Sequence, residues 1–188
     1  MTKCKQCGEQ FTRKRLTQKV CDYPSPCAAE WGKREAVRRR IEQDRLEYKA
    51  SKERLKKLTD YENEAQRYVN SYVKWRDWGL PCISCDKPHG FSEIRHASHF
   101  KSVGANTFLR FNLWNINMSC HQCNWKKGGN ILEYIPRLEK KIGVDKVEYL
   151  KNAPRQIKFT KEYLVRLKEI FIKKSSRQKF ITSKKFNF

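Results

Sequence analysis

Four cysteines, two histidines and two asparagines hold the chemistry of this chain. Cys82-x2-Cys85 and Cys120-x2-Cys123 enclose His96-Ala97-Ser98-His99 and Asn115, and Asn124 follows at once with Lys126, Lys127, Gly128 and Gly129. Two such CxxC knuckles suit a structural zinc ion, which staples a segment too small to fold unaided. Histidines inside a metal-held scaffold can move protons near neutral pH. Hydrolysis of a phosphodiester needs a water to lose a proton and the charge on phosphorus and on the leaving oxygen to be offset. One divalent ion beside a neutral imidazole can supply all three. The segment therefore reads as a metal-dependent centre acting on nucleic acid.

The charge agrees. The 188 residues include 42 Lys+Arg against 20 Asp+Glu, a formal net charge of +22. A polyanion is the natural partner of such an excess, and nucleic acid the first choice. An anionic membrane surface is the weaker alternative. No long apolar run and no signal-peptide core is visible, so the chain is expected to be intracellular, with no membrane partner. In a reducing compartment its eight cysteines are thiolate ligands rather than disulfides. They form two quartets, so one or two structural zinc ions are expected. The second quartet is Cys4, Cys7, Cys21 and Cys27, where Cys21 and Cys27 are spaced more widely than in a standard knuckle.

The elements that must position these residues follow from pattern. Residues 1–27 form an N-terminal Cys4 zinc module, with Pro24 and Pro26 in its loop. Residues 28–58 are a basic, helix-favouring linker in which Ile41, Tyr48 and Leu55 recur every seven residues, too few for a coiled coil. Residues 59–150 are the central unit with its packing helices, and 151–188 a C-terminal helix and basic tail. Thr59 or Asp60 can cap a helix whose Tyr61, Ala65, Tyr68, Val69, Tyr72 and Val73 mark one apolar face, ended by Gly79 and Pro81, and expected to pack on the zinc-held segment. Between the knuckles a hairpin is expected. Its first strand runs from His96 to Lys101, its turn is Gly104-Ala105-Asn106, and Asn112 to Asn117 lead into its second strand. A helix from Cys120 to Gly128 then faces Asn124 toward His99. Ile131 to Ile142 reads as a helix bent or broken at Pro136, Val144 to Leu150 as a second. Thr160 caps a last helix to about Lys173, followed by a mobile tail.

At these residues a resemblance becomes specific. The order Cys-x2-Cys, His, Asn, Cys-x2-Cys-Asn-x2-Lys resembles the HNH (ββα-metal) nucleases. Within them the chain is similar to the NinG/Rap family of lambdoid phage recombination endonucleases. The densest stretches are Leu80-Pro81-Cys82-Ile83-Ser84-Cys85, Ala97-Ser98-His99-Phe100, Leu109-Arg110-Phe111-Asn112, Asn115-Ile116 and Cys120-x2-Cys123-Asn124-x2-Lys127-x-Gly129-Asn130. The resemblance implies an α+β fold: a zinc-stapled ββα-metal core, mostly helical flanks and the N-terminal zinc-knuckle module. It implies cleavage of branched DNA such as Holliday junctions and D-loops, with Mg2+ or Mn2+ as catalytic ion. It also implies a phage or prophage chain in a bacterial cytoplasm, serving other recombination proteins. By position, His99 is the general base, Asn115 the residue that orients it, Asn124 a metal ligand and Lys127 a phosphate contact. Ser98 stands where many relatives of the superfamily carry an acidic ligand, so His96 is the substitute. On a regular strand, however, residues 96 and 99 face opposite ways. Lys126, Arg110, Lys101, Arg95 and Trp125 are further candidates for DNA contact, while His89 and His121 are read as non-catalytic. Symmetric cutting of a junction would take a homodimer. The alternatives are a non-enzymatic zinc-finger DNA-binding protein, an HNH nuclease of other specificity, or a factor acting on RNA.

Overall fold

The computed structural model describes residues 1–21, 26–88 and 94–187, so Pro24 and His89 lie outside the described residues. The fold is mixed α and β, with long helices and two small two-stranded sheets. Contacts divide it into two units, Met1–Lys56 and Lys57–Phe188.

In the first unit, strands β1 (Thr2–Lys3) and β2 (Gln10–Phe11) pair antiparallel. The small core is Cys4, Val20 and Cys27, with Phe11 and Trp31 against it. Helix α1 (Cys27–Arg54) buries Cys27 alone. Nothing apolar holds its outer turns, so the helix rests on side-chain propensity and on i,i+3 ion pairs such as Lys33–Glu30 at 3.2 Å and Arg38–Glu35 at 2.8 Å. Each such pair contributes only about 0.3–0.5 kcal/mol.

The second unit is built on α2 (Leu58–Arg76). Its N-terminus is closed by Asp60, whose carboxylate accepts from the Lys57 backbone N–H at 2.8 Å. The expected apolar face is present: Tyr61, Ala65, Val69 and Val73 are buried, and Tyr68 and Tyr72 pack beside them. This face meets Phe111 and Ile116 of the central segment and also Leu164 and Phe171 of α5 (Lys161–Phe186). That last helix corrects the expected mobile tail, because it continues well past Lys173. The reason is a polar seam. Ser71 and Ser175 hydroxyls lie 2.7 Å apart, and Thr182 Oγ1 donates to the Trp75 carbonyl at 3.1 Å. Thr160 caps α5 as expected, its Oγ1 accepting from Tyr163 N at 3.2 Å. Gly79, with φ +81°, has no room for a side chain, since a Cβ there would stand 2.5 Å from the Phe186 ring.

Strands β3 (Arg95–His99) and β4 (Ile116–Cys120) form an antiparallel hairpin in unbroken register, from Arg95↔Cys120 to His99↔Ile116. Both strands therefore sit slightly earlier or later than the sequence suggests. One face of the hairpin belongs to the α2 core. The other meets a second core of Ile83, Phe100, Leu109, Tyr134, Leu138, Val147 and Leu150, supplied largely by α3 (Ile131–Ile142) and α4 (Val144–Asn152). Burial on both faces explains why all of β4 is buried. Of the two expectations at Pro136, a bend or a break, the break is absent: α3 runs through it as one helix. The missing N–H would have reached Leu132, an exposed residue, where water can serve the carbonyl. The expected helix from Cys120 to Gly128 is instead one π-helical turn, Gln122–Lys126. It stops at Gly128 and Gly129, whose φ values of +54° and +93° reverse the chain toward α3.

A buried ion network ties these parts together. Asp77 accepts from Arg76 Nε and Nη2 at 2.8 Å each, from Lys141 Nζ at 2.9 Å and from the Met118 backbone N–H at 3.0 Å. Burial raises the carboxyl pKa, but Arg76 and Lys141 outweigh it and hold the group below its ordinary range. Among the described residues no helix is long and apolar enough to cross a membrane.

Candidate active site

The two quartets close as the spacing predicts. In each, the four sulfurs lie within 4.8 Å of one another. Cys85 and Cys120 Sγ are 3.8 Å apart, as are those of Cys7 and Cys21. A tetrahedral ion with Zn–S bonds of about 2.3 Å sets its ligands about 3.8 Å apart, so both clusters fit zinc. Backbone N–H groups point at the sulfurs: Cys82 Sγ accepts from Ser84 N at 3.4 Å and Cys120 N at 3.2 Å, and Cys4 Sγ from Gln6 N and Cys21 N at 3.4 Å. Such donors favour the thiolate, but at Cys82 burial outweighs them and the thiol is raised. At Cys4, burial raises the pKa, but the backbone N–H groups of Cys7, Cys21 and Gln6 bring it to about 6. At Cys120 burial is likewise overcome and the thiol is lowered.

The central cluster fixes the start of the π-helical turn, and so the residues on it. His121, between the paired cysteines, reaches His96 across the sheet end, with Nδ1 and Nε2 3.0 Å apart. Asn124 and His96 line one groove of about 480 Å³ together with Arg67, Lys74 and Trp75 from α2 and Trp78 from the turn that follows it. At 3.0 Å two neutral imidazoles can share one proton. The same distance is the edge between neighbouring corners around an octahedral ion with bonds of about 2.1 Å. The two imidazoles are thus spaced as two neighbouring ligands of one ion would be, and Asn124 lines the same groove as His96. Ser98 is not part of this set. It is buried, its hydroxyl donating to the Asn117 carbonyl at 3.4 Å.

His99 lies elsewhere. With no bulge in β3, it faces away from His96 and is not among the residues lining that groove. Its Nε2 is 3.0 Å from the Arg110 carbonyl, which can only accept, so Nε2 carries the proton and Nδ1 keeps a free lone pair. Burial lowers its pKa, the carbonyl opposes, and the Arg110 charge lowers it further, leaving the ring neutral near pH 7.

Asn115 is fully buried. Its side chain accepts from Lys101 N at 2.8 Å and donates to the Lys101 and Leu109 carbonyls at 3.0 and 3.1 Å. It closes the loop between the strands and makes no bond to His99 itself. Its influence on that ring passes through the backbone, since the carbonyl after Leu109 is the one His99 meets. Asn112 caps the following turn, accepting from Trp114 N at 2.8 Å.

Of the residues expected at DNA, Lys126, Lys127 and Trp125 are exposed on the π-helical turn. Arg110 holds Glu62 at 2.7 Å and Asn63 at 3.0 Å on α2. Lys101 is half-buried, and Arg95 is buried. Sequence reasoning missed His121 and the α2 groove residues. Arg67, Asn70, Lys74 and Trp78 recur at helical spacing beside the apolar stripe, and that stripe of polar and aromatic side chains was the available signal.

The family described as NinG, bacteriophage Lambda NinG protein, matches residues 1–180. Over 108 residues the chain is 34% identical to Protein ninG of Escherichia phage lambda and 33% identical to Protein ninG of Salmonella phage P22, covering 57% of this chain and 52% of each relative. It is 33% identical to Protein ninG of Escherichia phage 933W over the same length. The chain thus spans about half the length of the curated relatives it matches. No solved structure matches it.

Proposed function

Since the chain belongs to the NinG family, we propose that it is an HNH-type, metal-dependent endonuclease that cuts branched DNA, such as Holliday junctions and D-loops, during phage recombination. The observation that carries this reading is His99, a neutral imidazole anchored at Nε2 by the Arg110 carbonyl with Nδ1 left to receive a proton. Anchoring fixes the ring at no cost in the reaction, and the depressed pKa keeps it a base at neutral pH.

In this mechanism Nδ1 of His99 takes a proton from a water as its oxygen attacks phosphorus. The bond from phosphorus to the leaving sugar oxygen breaks, and that oxygen departs with the electron pair. His96, His121 and Asn124 would hold a divalent ion in the groove that His99 does not face, so the charge it would offset is on the substrate backbone beside the phosphate that His99 serves. Two imidazoles favour Mn2+ over Mg2+, a hard ion that prefers oxygen. Asn115 keeps the loop, and with it the Arg110 carbonyl, in place. Lys126 and Lys127 are exposed where a phosphate backbone can reach them, and the net charge of +22 attracts DNA over a distance. Paired cuts across a four-way junction need two such centres, so the acting form is proposed to be a homodimer.

The test is incubation of the purified chain with a synthetic four-way junction, a matched duplex and an RNA junction, with and without Mn2+. Metal-dependent nicking of the DNA junction is expected. His99→Ala should slow it by about 10²–10⁴-fold while zinc content and far-UV circular dichroism stay unchanged. Binding without any cutting would favour a zinc-finger DNA-binding protein instead.

A further inference from the structure

A second groove, of about 950 Å³, lies between the loop that follows β3 and the extended segment that joins α4 to α5. Lys101, Lys151, Arg155 and Lys158 line it, and no carboxylate does among the described residues. Lys151 has Glu139 and Glu148 at 3.9 and 3.8 Å, too far to neutralise it fully. Arg155 and Lys158 are exposed.

The groove is built rather than accidental. Thr107 stitches its two walls together: Thr107 N donates to the Arg155 carbonyl at 2.9 Å, and Ile157 N donates to Thr107 Oγ1 at 3.1 Å. Asn106, at the floor, is buried and accepts from Leu109 N at 2.9 Å. The Lys101 rim is gripped on both backbone groups by Asn115. Cations held apart on a rigid frame, with no acid among the lining residues, suit a ligand carrying several negative charges at fixed spacing. They do not suit a single small anion, which so open a groove would leave largely in water. Lys101 is two residues beyond His99, at most about 7 Å along the chain. That is close to the step between neighbouring phosphates on one strand.

We propose that this groove binds the sugar–phosphate backbone of duplex DNA, holding one arm of the substrate while the scissile phosphate lies at His99. The inference rests on the reading that DNA is the ligand, and it does not require that the chain cut it.

The experiment measures binding of the full chain to a fluorescent duplex and to a four-way junction. Ca2+ replaces Mn2+ so that no strand is cleaved and the zinc ions stay in place. Arg155→Glu/Lys158→Glu should weaken binding at least about tenfold and reduce the slope of log affinity against log salt by about 1–2. Lys173→Glu/Lys174→Glu, with the same charge change on α5, should have a clearly smaller effect. Where the reversal lowers the melting temperature, Arg155→Gln/Lys158→Gln is read in its place. Unchanged affinity and slope overturn the proposal. Equal loss from the α5 pair also overturns it, by showing a diffuse field rather than a groove, as does weakening confined to a matched RNA duplex. A wild-type chain that binds and loses affinity on reversal, yet never nicks DNA with Mn2+, leaves the groove standing and removes the nuclease reading. A chain that nicks but is indifferent to the reversal does the opposite, and one that binds no DNA removes both.

Discussion

The two Cys4 clusters are nearly the same object in different company. Each brings four sulfurs within 4.8 Å and directs backbone N–H groups at them. Around the N-terminal cluster the buried residues are Cys4, Val20 and Cys27, and the helix that leaves it is solvated along its length. The central cluster has its own buried sulfurs in a unit that also holds two apolar cores, one on each side of the hairpin. In the first unit a zinc ion held by the quartet would substitute for a core. In the second it would be a positioning device, deciding where His121 and Asn124 stand.

The sharpest way to break this contrast is to remove one ligand from each cluster. Cys123→Ser should lose one zinc per chain and all measurable cutting, while much of the α2–α5 packing survives in hydrogen exchange. Cys7→Ser should also lose one zinc, and the β1–β2 hairpin should lose its amide protection, because structural zinc supplies roughly 10–16 kcal/mol to such modules. The unit Lys57–Phe188 should melt unchanged. A shared drop in both units would erase the distinction.

A smaller effect tests the claim that apolar packing holds the second unit. Asn115→Ala strands three backbone groups in the interior and should cost about 3 kcal/mol in denaturant unfolding, a loss that zinc does not repair. Next comes pH. The folded pKa of His99 is depressed, so its contribution to stability is full above the unfolded value of about 6.5 and declines as pH falls through the interval below it. The acid limb of cleavage should therefore lie below pH 6.5, and a limb at or above that value would remove His99 as the base. The smallest change is expected on α1, where Glu35→Ala should alter stability by about 0.3–0.5 kcal/mol and leave cutting intact.

What could be read in the sequence was local. The quartets follow from cysteine spacing and the α2 stripe from helical period. The continuation of α5 was not legible, because the seam that carries it past Lys173 uses Ser175 and Thr182, which carry no apolar signal. The His96–His121 pair was hidden for a different reason. It depends on the register of a hairpin and on a π-helical turn imposed by the thiolates, neither of which leaves a periodic trace. Arg110 shows the same limit: a basic residue in a nuclease-like motif reads as a DNA contact, while Glu62, 48 positions earlier, holds it at 2.7 Å.

The hydroxyl contact between Ser71 and Ser175 joins residues 104 positions apart, whereas the whole N-terminal cluster is closed between Cys4 and Cys27. Closing the longer loop is the slower step. During synthesis the first module can therefore set around its metal early. Helix α2 must wait, with its aromatic face uncovered, until the ribosome has released the partner that shields it. The interval between those two moments is when this chain is most exposed to aggregation and to proteases.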